Sequence, residues 1–242
     1  MIRRLPEVAG DGRLSSASGA VLPARLLAIP AQLSDTRQRI LFVASHLFAR
    51  QGYAATSTRQ IADLVGIRQP SLFHHFESKA AIARELLDYD LDVCLPLVEA
   101  LAGEDGPAAD RLYRHLRHDV AHLAGAPYNL GGLYMTEVTE QPGFAAYRRR
   151  HERLHRAQER IIDDGQRRGE FILLPARFVR EAITGILLRT AQVHGGGREP
   201  APPGFADDVA SLVLRSLLVD PSRLDELRAG ARGLGERVAA PA

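Results

Sequence analysis

The stretch TSTRQIADLVGIRQPSLFHHFESK, residues 56–79, decides the fold. Ser57 followed three positions later by Gln60 is a capping box, in which each side chain serves the other residue's backbone amide at a helix start. Ile61, Ala62, Leu64 and Val65 give the helix that follows one apolar face, and Gly66 closes it. A second short helix, QPSLFHHF, comes at once, with Pro70 tolerated in its first turn. Two short helices joined at a glycine turn form a helix-turn-helix. Ser78 then opens a longer helix whose apolar residues run from Ala81 to Leu101.

Working outward, Ile40, Val43, Ala44, Leu47 and Phe48 follow the spacing of an amphipathic helix that starts near Thr36 and that Gly52 should end. Residues 1–34 mix Gly, Ser, Pro and Arg, and Pro23 and Pro30 interrupt the apolar run AVLPARLLAIPAQL, so they read as a mobile arm. Beyond Gly103, apolar spacing near 3.6 predicts helices over 107–124, 129–139, 142–169 and 174–194, and no segment reads as a strand. HGGGREPAPPG, 194–204, reads as a flexible connector. The following FADDVASLVLRSLLV, 205–219, is more apolar than one buried face requires, which marks a subunit interface. The expected fold is all-α: an arm (1–34), a three-helix helix-turn-helix domain (35–80), a larger helical domain (81–220), and a C-terminal helix and tail (221–242).

Composition narrows the function classes. The formal net charge is only +2 over 242 residues, yet residues 35–79 hold six Lys/Arg against three Asp/Glu, with His46, His74 and His75 besides. A basic surface confined to one segment suits a local polyanion contact. Cys94 is the only cysteine, which excludes an intrachain disulfide and a multi-Cys zinc site and fits a reducing cytoplasm. The N-terminal residues show no unbroken apolar stretch, so no secretory signal or membrane span is expected. No nucleophile with an ordered base, no Gly-rich phosphate loop and no metal-ligand motif is visible, so the chain does not read as an enzyme and no cofactor is expected.

Several patterns agree at once between Thr36 and Lys79: RILFVASHLFA in the first helix, then GYAATS, then IADLVGI, then SLFHHFESK. In these the chain resembles the DNA-binding domain of the TetR (tetracycline-repressor-like) family of bacterial regulators. The resemblance implies a cytoplasmic, homodimeric transcriptional regulator with a double-stranded DNA operator, a small-molecule effector, and a helical domain for ligand binding and dimerisation. Most such proteins repress. The physical reading agrees, because a helix entering the major groove needs short polar or small residues at its N-terminal end and bulky apolar ones behind. Gln69 can pair bidentately with adenine, Ser71 can donate or accept, and Pro70 offers apolar surface to a thymine methyl. The resemblance adds Arg59 as a base-contacting candidate. Phosphate contacts are expected from Ser57, His75 and Lys79, with His74 beside them. Lys79 is the sole lysine of a chain with 31 basic residues, and it falls where the family holds its phosphate-binding lysine. Two positions depart from the family: Arg68 stands where a capping Ser is common, and Phe73 where a Tyr hydroxyl usually meets a phosphate.

Outside that domain, the resemblance implies a pocket between helices, and Leu91, Cys94, Tyr113, Tyr128, Leu133, Tyr134, Met135 and Phe178 are its candidate lining. His115, His118 and His122, like His151 and His155, recur at helical spacing that could hold a metal. Arg114, Arg117, Arg149, Arg150 and Arg153 beside them would repel a cation, so these helix faces read as solvated and metal-free. Cys94 reads as an inert core thiol, and Pro96 as a kink in its helix.

Overall fold

The computed structural model describes residues 29–31, 33–134, 137–197 and 199–230. The expected arm lies almost wholly outside these residues, as do Met135 and the tail beyond 230. Helix α1 (Thr36–Ala55) starts where Asp35 accepts the Gln38 amide at 3.2 Å. Gly52 breaks it at φ +83°, after which one turn runs to Ala55. The capping box at Ser57 forms as expected, with Gln60 N to Ser57 Oγ at 3.1 Å and Ser57 N to Gln60 Oε1 at 2.8 Å, and opens α2 (Thr58–Val65). Gly66, left-handed at φ +81°, returns its amide to Ala62 and Asp63 before α3 (Gln69–His75) begins.

Residues 40–48 of α1 are buried on every side, more than one amphipathic stripe supplies. The reason is that α1 serves two domains, packing on α2 and also on α4 (Lys79–Gly103) and α6 (Gly131–Tyr134). At the α6 contact, a Cβ on Gly132 would stand 2.3 Å from the Ala49 Cα, so two backbones touch where only glycine fits.

The larger domain continues with α5 (Ala108–Gly125), α7 (Ala145–Arg167), α8 (Ala176–His194) and α9 (Phe205–Leu217). Helix α5 is its axis and packs against α4, α7, α8 and α9. Pro107 gives α5 no side-chain cap, and Glu170 supplies one from the α7–α8 link, taking the Ala108 and Ala109 amides at 3.0 Å each. Helix α4 runs unbroken through Pro96, whose ring is on the exposed side. The helix expected over 129–139 is divided into the four-residue α6 and a 3₁₀ turn at Glu137–Glu140. Among the described residues the β content is one isolated bridge between Phe171 and Leu218.

The glycines after α8 are not a free connector. Gly195 and Gly196 are buried, and the Gly196 amide donates to Ala126 O at 2.9 Å. A Cβ on Gly196 would lie 2.7 Å from the His46 ring, so the glycine run is a close-packing device against α1 and not only a flexible link.

Candidate functional sites: an outward helix face and a polar cavity

Helix α3 buries a single residue, Leu72, and turns the rest of its surface outward. Arg59, Arg68, Pro70, Phe73 and His74 are exposed, and Gln69, Ser71 and His75 are half-buried. Among the described residues the Arg59 and Arg68 side chains have no hydrogen-bond or ion-pair partner, while the Gln69 amide donates to Thr58 Oγ1 at 2.9 Å and so ties the first residue of α3 to the first of α2. That bond uses one of the two amide hydrogens and leaves the other free. Arg68 precedes α3 without giving it a side-chain cap, the local consequence of having no Ser there. Phe73 stands 45% exposed with no hydroxyl to offer.

Three cations hold this face in place, two of them unforeseen from sequence. The Lys79 ammonium donates to the carbonyls of Tyr53 at 2.7 Å and Thr56 at 2.6 Å and lies 4.2 Å from the Tyr53 ring centroid. Burial lowers its pKa. In the free protein its donors therefore close the end of α1 beside the α2 cap instead of standing in solvent. Arg39 caps the C-terminus of α2 through Val65 O at 2.8 Å. Arg37 joins α1 to Glu85 on α4 and to the His75 carbonyl ending α3, its guanidinium 4.1 Å from the Phe76 centroid.

In the larger domain, a cavity of about 150 Å³ opens between α4, α5, α7 and α8. Of the residues expected around it, Cys94 and Tyr134 line it. The others described do not. Leu91 and Leu133 are core residues, Tyr113 spends its hydroxyl on Asp207 at 2.9 Å, and Tyr128 packs edge-on to Tyr89. Phe178 is 58% exposed on the outer side of α8, because its helical phase opposes that of the buried Val179 and Ile183.

The rest of the wall was not foreseen. Leu123, Leu154, Leu187 and Leu188 supply apolar surface, and Asp90, Asp119, His151, His155, Gln158 and Thr184 supply polar groups. The solvated reading of the histidine faces is corrected here: His115 is fully buried, its Nε2 2.9 Å from the Gln158 amide. Four of the five arginines expected to repel a cation are neutralised by acidic partners, and the fifth, Arg149, is exposed. Arg114 pairs with Glu104, Arg117 with Asp207, Arg150 with Asp88 and Asp92, and Arg153 with Glu99. Asp119, four residues from His115 and three from His122 in the middle of the buried α5 face, was the available signal.

Burial raises the Asp90 carboxyl, against the pull of the Tyr134 hydroxyl that donates to it. Burial alone would raise Asp119 too, but His115 and His118 beside it hold its carboxyl below the usual range. The Cys94 thiol is pushed far up, by burial first and then by both carboxylates.

The arrangement defines an all-helical protein with an outward-facing helix-turn-helix and a separate helical domain enclosing a cavity. Residues 40–86 match the family described as bacterial regulatory proteins, tetR family. The chain is 31% identical to AmtR of Mycobacterium smegmatis over 84% of its own length and 98% of that structure, with a TM-score of 0.71. It belongs to the TetR family. It is also 46% identical over 59 residues to the transcriptional repressor KstR2 of Rhodococcus jostii, a stretch covering 24% of this chain and 29% of that repressor. The solved KstR2 of Mycobacterium tuberculosis shares the fold at 22% identity, covered in full by 80% of this chain, with a TM-score of 0.66. Among the described residues, no helix is long and apolar enough to cross a membrane.

Proposed function

We propose that the chain is a transcriptional repressor that binds a pseudo-palindromic operator as a homodimer and leaves it when a small molecule fills the α4–α8 cavity. The observation carrying this reading is the N-terminal end of α3, where Gln69, Pro70 and Ser71 sit with Arg59 and Arg68 on the outward side of a helix whose one buried residue is Leu72. Such an end is what direct readout in a major groove requires. Ser57, His74 and His75 flank it and would position it on phosphates, while Lys79 holds the end of α1 beneath them. Phe178, Ala182 and Gly185 on α8, with Leu212 on α9, form an outward apolar face suited to a two-fold four-helix contact. The cavity's wall suits a ligand with an apolar body and a polar or charged head.

The test is anisotropy titration of the full chain against its own upstream DNA and against scrambled DNA across a salt series. A regulator binds its site ~10³-fold or more tightly over the scramble, with a steep salt slope. Equal, weak binding to both would leave a helical small-molecule carrier as the better reading.

A further inference from the structure

Behind the cavity wall, metal-ligating side chains of α4 and α5 gather around a histidine nitrogen that hydrogen bonding does not satisfy. Asp90 and Cys94 are one turn apart on α4, and His122 faces them from α5. Asp90 Oδ1 lies 3.5 Å from Cys94 Sγ and 3.4 Å from His122 Nε2, and the three donor atoms all lie within 4.8 Å of one another. The Asp119 carboxylate approaches the same thiol from α5. A single S–H can serve one of the two carboxylates, never both. The His122 contact is too long for an N–H···O bond, and His122 Nε2, on a side chain only 12% exposed, has no hydrogen-bond partner. Gln158, buried in the same wall, also leaves its Oε1 unpartnered. Two carboxylates thus meet inside the domain: Asp90 accepts the Tyr134 hydroxyl, Asp119 lies beside His115 and His118, and among the described residues no arginine or lysine pairs with either.

We propose that Asp90, Cys94 and His122 form a binding site for a divalent transition-metal ion of the zinc class, with Asp119 as the adjacent fourth donor. A tetrahedral zinc ~2.1 Å from nitrogen and oxygen and ~2.3 Å from sulfur has N–O edges of about 3.4 Å and S–O edges of about 3.6 Å. The Asp90–His122 and Asp90–Cys94 separations, 3.4 and 3.5 Å, match those edges. Thiolate and imidazole together select a borderline or soft ion over magnesium or calcium. Binding takes up the ion and releases the thiol proton, and the imidazole proton where one is present, so charge balances without a redox partner. The ion would staple α4 to α5. Because α4 begins at Lys79, on the carbonyls that end α1, the staple would act on the helix-turn-helix, and this consequence rests on the regulator reading above.

The experiment uses the tag-free full chain, freed of metal by chelator dialysis. It is titrated with Zn²⁺ by calorimetry and with Co²⁺ by absorption. One ion per chain is expected, with a thiolate-to-cobalt charge-transfer band that disappears in Cys94→Ser. Asp90→Asn and His122→Gln should each weaken Zn²⁺ at least about tenfold. No stoichiometric uptake, or an unchanged cobalt spectrum in Cys94→Ser, overturns the site. Should Cys94→Ser fail to fold, Asp90→Asn decides: Zn²⁺ affinity equal to that of the parent chain overturns the site. Operator binding by the same metal-free sample is scored separately. Its absence at every metal load would end the regulator reading, while the titration alone decides the metal site.

Discussion

Helices α3 and α5 carry their chemistry in opposite directions. Helix α3 buries Leu72 and presents Gln69, Pro70, Ser71, Phe73 and His74 outward, whereas α5 buries His115 and Asp119 and turns Arg114 and Arg117 out to acidic partners. On α3 the polar residues face solvent, and their neighbours in sequence suffice to display them. On α5 they face the interior, and only the packing of α4, α7 and α8 decides what they meet. A surface site is a local property of the chain; an interior site is a tertiary one.

Leu72 is the point at which α3 can be broken outright. It is fully buried while the rest of its helix is not, so Leu72→Ala removes the one apolar anchor of a seven-residue helix. The expected loss is about 2–5 kcal/mol in urea melts, with operator binding lost alongside. An intact Tm would mean that α3 is held by something other than Leu72.

Lys79→Ala tests whether that residue belongs to the DNA or to the fold. Its ammonium bonds to Tyr53 and Thr56 carbonyls, and charge-assisted bonds of this kind are worth about 1.5–3 kcal/mol. A loss of that order in the absence of DNA is expected, with the salt slope of operator binding unchanged. A slope lowered by about one at unchanged stability would instead return Lys79 to the phosphate role that family resemblance implied. Gln69→Ala comes next. The free protein should hardly notice it, since only the bond to Thr58 is lost, while one base pair of the operator should lose about 1–3 kcal/mol of discrimination. Equal losses on operator and random DNA would show that Gln69 does not read a base.

What could be read in advance follows the same division. The capping box at Ser57 and the turn at Gly66 are contacts between residues three or four apart, so the sequence pattern contains both partners. The cavity is not legible in that way. Asp90 and His122 are on different helices, and the arginines beside the histidines suggested repulsion, because their pairing with Glu99, Glu104, Asp88 and Asp207 is itself tertiary. Phe178 went to the pocket in anticipation and to the outer face in fact for the same reason: hydrophobicity gives no sign of which side of α8 is covered. The glycines at 195–197 likewise read as slack, since nothing in their sequence shows that His46 lies against Gly196.

The smallest effect concerns pH, and it separates the two regions most finely. His155 in the cavity wall is lowered to about 3 from an ordinary 6.5, by burial first and then by His151 and Arg180, with Glu181 pulling the other way. His151, its ring centroid 4.1 Å away, is lowered by burial and Arg180 as well. Both rings are therefore neutral in the folded chain near neutral pH. In the unfolded chain they take up protons near 6.5, so their contribution is fully present above that value. It is lost as pH falls from about 6.5 toward about 3, where the unfolded state binds a proton that the native state refuses. The effect is small because part of the His155 ring is reached by solvent, which screens the charge. Urea midpoints between pH ~7 and ~4 should decline in the parent chain and decline less in His155→Gln. The sharper readout is the His155 ring itself. A proton resonance titrating near the ordinary value would mean that water enters the wall freely and that the cavity is open, which would bring its chemistry back to the surface logic of α3.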